Sequence, residues 1–179
     1  MCGIVGYLGD QEVVPLLVRG LERLEYRGYD SAGVALVGDG TLTTVKSVGK
    51  IKALKERLED RVFDTRLGIA HTRWATHGAP SDRNAHPHTD CKGRVAVVHN
   101  GIIENWQALK KLLLSEGHKF ATETDTEVLA HLIEKYLTGN TLGDAVSTAL
   151  QLVEGTYASR WCRPTIRTRS SARATARRS

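Results

Sequence analysis

A cysteine stands at position 2 of this 179-residue chain, between Met1 and Gly3. Cys2 and Gly3 are both small, so Met1 is removable. Its loss would leave a thiol on the residue that carries the free α-amine. A thiol titrates near about 8.5 and an α-amine near about 7.7–8.0. The neutral amine can take the thiol proton, directly or through a water, and later protonate a leaving amine. Nucleophile and base would then share one residue, and the chemistry would be attack on a side-chain amide. The competing reading is a small buried residue at a strand start. On Cys2 alone that reading is the simpler one.

Three other segments bear on the choice. His71-Thr-Arg-Trp-Ala-Thr-His-Gly78 follows a strand pattern and carries Arg73. A guanidinium is a planar fork that fits a carboxylate. Val98-His-Asn-Gly-Ile-Ile-Glu-Asn105 also follows a strand pattern. There the Asn100 amide and the uncrowded backbone N–H of Gly101 form a donor pair suited to a developing oxyanion. Asp125 lies in the first turn of a helix pattern, where it could bind an ammonium group. Each has a plainer alternative: a surface ion pair for Arg73, a tight turn for Asn100-Gly101, and helix capping for Asp125. Their occurrence together with Cys2 is what needs explaining.

The elements that must position these groups follow from periodicity. Residues 3–8 read as a buried strand and Val13–Leu24 as an amphipathic helix. The stretch Glu25–Gly33 reads as a loop with two glycine pivots. Val34–Val37 and Leu42–Val48 flank Gly38-Asp-Gly40, the pattern of a β-hairpin. Ile51–Leu58 suits a helix, and Leu67–His71 and Arg94–His99 suit strands. Thr76–Asp90 is a long polar connection of the kind that carries function. Asn105 is placed to cap a helix from Trp106 to Glu116, and Thr124-Asp-Thr-Glu127 has the capping-box pattern for a second. Leu142–Val153 is a third. Strands and helices come in groups, which predicts a layered α+β fold.

Composition excludes several classes. Hydrophobic residues make up 41%, and no apolar run approaches bilayer length. The N-terminus has no signal-peptide pattern. Cys2, Cys91 and Cys162 are odd in number and widely spaced, so free thiols in a cytoplasmic protein are expected. The net charge is +5, but residues 159–179 hold seven arginines and no acidic residue. Removing those seven charges leaves −2 for residues 1–158, a mildly acidic body that does not predict nucleic-acid binding. His86-Pro-His88-Thr-Asp90-Cys91 gathers metal-ligand types, but its spacing matches no standard zinc pattern, and no metal or cofactor is expected.

Six segments together resemble the class II glutamine amidotransferases: Cys2-Gly-Ile-Val-Gly6, Tyr26-Arg-Gly-Tyr-Asp-Ser-Ala-Gly33, His71–Gly78, Asn84-Ala-His-Pro-His88, Val98–Asn105 and Glu123-Thr-Asp-Thr-Glu127. Within that family the resemblance is closest to the glutaminase domains of glutamine–fructose-6-phosphate aminotransferases (isomerizing). It covers residues 2–158. It implies a four-layer αββα N-terminal-nucleophile hydrolase fold, incomplete at its C-terminal end, with L-glutamine as substrate. By that resemblance Cys2 is the nucleophile and its α-amine the base. Asn100 and Gly101 make the oxyanion hole, Arg73 grips the glutamine carboxylate, and Asp125 takes its ammonium group. Thr76 and His77 line the pocket, Trp74 guides ammonia, and Arg27 supports the site near Cys2.

Two departures set further expectations. The isomerase domains of the family enzyme are absent here, so this chain alone would hydrolyse glutamine without making glucosamine 6-phosphate. From Ser159 an arginine-rich run replaces the family pattern. The tail at 159–179 is expected to be disordered. A shifted reading frame would produce such a run, and in that alternative the chain is an inactive or unstable fragment. The rival class is a binding module whose basic tail contacts nucleic acid.

Overall fold

The computed structural model describes residues 1–59 and 61–164. Strands β1 (Gly3–Leu8), β2 (Ser31–Gly38), β3 (Thr41–Val48) and β4 (Leu67–Arg73) form one antiparallel sheet in the order β1-β4-β2-β3. Strands β5 (His88–Thr89), β6 (Ala96–Gly101) and β7 (Tyr157–Cys162) form a second antiparallel sheet in the order β5-β6-β7. The β2–β3 hairpin turns on Asp39 and Gly40 at φ 50° and 71°. Positive φ at both turn positions matches the right-handed twist of the flanking strands.

Helices cover the two outer faces. Helices α1 (Val13–Glu22) and α2 (Ile51–Glu59) pack Leu17, Leu21, Leu54 and Leu58 against Val34, Leu36, Val45 and Ala70 of the first sheet. Helices α3 (Trp106–Ser115), α4 (Thr126–Leu137) and α5 (Leu142–Gln151) pack Leu113, Leu129, Ile133 and Val146 against Val97 and Trp161 of the second. Between the sheets lies a thin third core of Ala35, Ile69, Ala96, Val98 and Cys162. The order of layers is therefore α, β, β, α. None of the described helices is long and apolar enough to cross a membrane.

Strand alternation decides which side chains enter the inner layer. Ile4 and Ile69 face it from the first sheet, and Ala96 and Val98 from the second. The same parity sends Cys2, His71, Arg73 and Asn100 inward. The register pairs Gly3 with Thr72, which carries Cys2 alongside Arg73 at the same end of the sheet. One end of the sandwich thus receives the sulfur, the guanidinium and the amide from three different strands.

Several boundaries differ from the sequence expectation. Strands β4 and β6 run two residues further, through Arg73 and Gly101, because β2 and β7 continue to pair with them. The composition break at 158 falls inside β7, which pairs Ser159 with His99 and Cys162 with Ala96. Ser159, Trp161 and Cys162 are buried, so 159–162 is ordered sheet rather than disordered tail. The expected disorder of 165–179 lies outside the described residues. Asn105 does not cap α3 with its side chain. It bridges instead to the 152–154 backbone, donating to the Leu152 carbonyl at 2.8 Å and accepting from Glu154 N–H at 3.2 Å. Nor does Glu127 close a capping box. Its carboxylate accepts from the backbone N–H groups of Ala121 and Thr122, each at 2.7 Å, ordering the loop before α4.

Trp161 tests whether β7 belongs to the core. Replacing it with Ala should cost roughly 3–5 kcal/mol in a urea titration, as for other large buried aromatics. A cost under about 1 kcal/mol would show that the strand adds little to the fold.

Candidate active site

Cys2 is half-buried just before β1, and its sulfur is bracketed by the backbone of Trp74. The Trp74 N–H donates to Sγ at 3.1 Å, and the thiol faces the Trp74 carbonyl at 3.6 Å. Met1 precedes it, exposed, with its ammonium group donating to the carbonyls of Arg27 (3.0 Å) and Gly28 (2.9 Å). The Arg27 guanidinium meets Met1 Sδ at 3.2 Å. The turn at Glu25–Arg27 is thus next to the amine that loss of Met1 would expose.

Asn100 reaches Cys2 from the other sheet. Its Nδ2 donates to the Cys2 carbonyl at 3.4 Å, and its Oδ1 lies 2.7 Å from His71 Nε2. An amide oxygen only accepts, so His71 must carry its proton on Nε2. Burial pushes the His71 pKa down to about 3, against a smaller upward pull from the Asn100 contact. The ring is neutral, with its one N–H on the amide oxygen, while the Cys2 carbonyl takes Nδ2 and so orients the Asn100 amide. Gly101 adopts φ +123°, where any Cβ would collide with the Thr156 carbonyl. Glycine is required there by space as well as by dihedral angle.

Arg73 is buried, which rules out the surface ion-pair reading. Its Nη2 donates to the carbonyls of His77 and Gly78 and so shapes the loop after β4. Its Nη1 lies 3.9 Å from Asp30 Oδ1 and has no hydrogen-bond partner. A buried donor of a charged group left unpaired is costly, and a ligand carboxylate is a natural acceptor for it. Burial lowers the Arg73 pKa, while Asp30, Cys2 and Asp125 pull it up, so these charges share one field.

Asp125 occupies the N-cap position of α4 but makes no side-chain cap. Its Oδ2 accepts from Ile103 N–H at 2.9 Å, and its Oδ1 lies 3.9 Å from His77 Nδ1. His77 packs edge-on against Trp106 at 5.5 Å and sits 3.3 Å from Thr76 Oγ1. Thr76 is exposed, and so is the Trp74 ring, which lies over Gly28.

The predicted residues therefore gather at one end of the sandwich. What sequence reasoning left without a role is their support. Asp30 accepts from the Ala75 N–H and faces Arg73, tying the β2 start to the 73–75 loop. Behind Asn100 lies a neutral histidine cluster. His71 stacks on His86 at 4.3 Å, and His86 meets His88 edge-on at 4.5 Å. His88 Nε2 is 3.0 Å from Thr124 Oγ1, and His99 Nδ1 is 3.0 Å from Thr126 Oγ1.

Residues 49–158 match the family described as a glutamine amidotransferase domain. The chain belongs to the glutamine amidotransferase domain family. Over 158 residues this amidotransferase domain is 57% identical to the glutamine–fructose-6-phosphate aminotransferase (isomerizing) of Clostridium tetani, covering 88% of this chain and 26% of that protein. The enzyme of the same name from Pyrococcus horikoshii is 54% identical over 160 residues, covering 27% of its length. The chain thus spans about a quarter of the curated relatives it matches. Its fold matches the solved Bacillus subtilis glutamine phosphoribosylpyrophosphate amidotransferase with a TM-score of 0.76 and 33% identity, over 90% of this chain and 35% of that one. The layered amidotransferase fold is of the N-terminal-nucleophile type, as the family resemblance implies.

The histidine cluster predicts that the domain loses stability in acid. Burial lowers the pKa of His71, His86, His88 and His99 below the ordinary histidine value of 6.5. Unfolding lets them bind protons at their ordinary pKa, so the unfolded state takes up more protons as pH falls below about 6.5. Stability is full above that value and falls below it, by up to roughly 1.4 kcal/mol per pH unit for each of His71, His86 and His88, with His99 acting in the same direction. The depressed Glu127 and Glu134 act only at lower pH, near and below 4.5. The urea midpoint should therefore drop clearly between pH 7 and pH 5.5. An unchanged midpoint would contradict the neutral cluster.

Proposed function

We propose that this domain hydrolyses L-glutamine to glutamate and ammonia through a thioester at Cys2. The observation that supports it best is the meeting of Cys2 with an amide donor aimed by a neutral, buried histidine, beside a buried guanidinium with an unpaired N–H.

The proposed steps use those groups in turn. After Met1 is removed, the Cys2 amine takes the thiol proton and Sγ attacks the glutamine Cδ. The carbonyl oxygen becomes an oxyanion received by Asn100 Nδ2 and the Gly101 N–H. The C–N bond breaks, the amine returns the proton, and ammonia leaves. Water then attacks the thioester and releases glutamate and the thiol. Arg73 Nη1 would hold the substrate carboxylate and Asp125 its ammonium group, with Thr76 and His77 lining the pocket. The Trp74 ring would direct the departing ammonia, and Arg27 would keep the turn near Cys2 in place. In the whole protein, as the names of its relatives imply, that ammonia would aminate fructose 6-phosphate to glucosamine 6-phosphate. The free cysteines suit the reducing cytoplasm.

Glutamate release measured on Met1-free protein tests this reading. Cys2→Ala should lose at least ~10³-fold in kcat. Asp125→Asn, nearly isosteric, should raise KM about 10- to 100-fold, the cost of one charge-assisted contact. Equal activity in Cys2→Ala would sink the mechanism.

A further inference from the structure

Away from that site, four metal-ligand side chains converge where the sequence pattern showed no zinc spacing. Cys91 follows β5, His118 lies in the turn after α3, and His131 and Glu134 sit three residues apart on α4. One donor atom from each lies within 4.8 Å of all the others. Cys91 Sγ is 3.8 Å from His118 Nδ1 and 3.4 Å from His131 Nδ1. Glu134 Oε2 is 3.1 Å from His118 Nδ1 and 3.5 Å from His131 Nδ1.

Zinc bonds of about 2.3 Å to sulfur and 2.0–2.2 Å to nitrogen and oxygen, at tetrahedral angles, put ligand atoms about 3.6 Å (S···N) and 3.4 Å (N···O) apart. The four observed distances bracket those values. Hydrogen bonding alone explains the cluster poorly. Glu134 Oε2 already accepts from the Cys91 N–H at 3.2 Å, and both imidazole Nδ1 atoms also crowd it and the sulfur. We propose that Cys91, His118, His131 and Glu134 form a tetrahedral zinc site with Sγ, two Nδ1 atoms and one carboxylate oxygen as ligands.

The surroundings fit a closed, structural site. Thiolate and carboxylate balance the two charges of the metal, and Cys91 gives up its thiol proton on binding. The Lys119 N–H donates to Sγ at 3.3 Å, a contact that a bound thiolate keeps. His131 turns Nε2 toward Glu127 Oε1 at 3.6 Å, beyond hydrogen-bond reach, so the outer carboxylate favours a proton there through its charge alone. Arg94 faces Glu134 Oε1 at 3.5 Å, leaving Oε2 for the ion. Cys91 and His131 line a cleft of about 530 Å³ that gives solvent access. His131 and Glu134 are on the helix whose N-cap is Asp125, so the ion would tie α4 to the β5–β6 connection.

The test uses tag-free protein in a Cys2→Ala background, which leaves Cys91 as its exposed thiol. After equilibration with Zn²⁺ and gel filtration, elemental analysis should find about one zinc per chain. Cobalt in its place should give a thiolate charge-transfer band and intense tetrahedral d–d bands. Cys91→Ser and His118→Gln should each lose the zinc and those bands while keeping the far-UV circular dichroism of the parent. No retained zinc in the parent, or the same zinc content and cobalt spectrum in Cys91→Ser, would overturn the assignment.

Discussion

The contact on which the candidate site depends is the 2.7 Å hydrogen bond from His71 Nε2 to Asn100 Oδ1, made across the gap between the two sheets. It exists because alternation turns both side chains into the inner layer at the same end. It has a direction because an amide oxygen cannot donate. The Cys2 carbonyl, which can only accept, holds Nδ2 on its own side, and burial keeps the imidazole neutral. A protonated ring would put a second positive charge beside buried Arg73, which itself lowers the His71 pKa. The Asn100 amide therefore presents Nδ2, rather than its oxygen, to Cys2.

Electrostatics then divides the site into two regions. The inner layer holds neutral imidazoles that set geometry without adding charge. The mouth holds Arg73, Asp30 and Asp125, and both carboxylates act electrostatically on the guanidinium. Such a triad is expensive to bury unless its donors are used. Arg73 spends Nη2 on the His77 and Gly78 carbonyls and keeps Nη1 unpaired. A zwitterionic amino acid, with a carboxylate for Nη1 and an ammonium for Asp125, would complete the set.

Much of this was legible in the sequence, for reasons that particular residues explain. Cys2, Arg73, Asn100, Gly101 and Asp125 each had a plainer reading alone; they stood out through their occurrence together and through the six-segment family resemblance. Grouped periodicity predicted a layered α+β fold, and the resemblance implied the order of its layers. What stayed hidden was long-range. Asp30 has its partner 43 residues away at Arg73, and His71 has its partner at Asn100, 29 residues on. Neither separation leaves a local signature. The caps failed for a related reason: Asn105 and Glu127 found backbone partners in loops that only the fold brings near. Strand β7 escaped because its order comes from pairing with β6, not from its arginine-rich composition. Cys91, His118 and His131 are too widely spaced for any zinc pattern, and only the packing of α4 on the β5–β6 connection unites them.

The central claim is that one thiol, on the residue bearing the free amine, is addressed through amino-acid recognition at Arg73 and Asp125. Intact-mass labelling with a thiol-directed electrophilic analogue of L-glutamine tests it most directly, comparing Met1-free chain with a form that retains Met1. The account predicts a single adduct at Cys2, fast only in the Met1-free form and suppressed by L-glutamine but not by D-glutamine. Labelling that falls on Cys91, or that proceeds equally with Met1 in place, would contradict it.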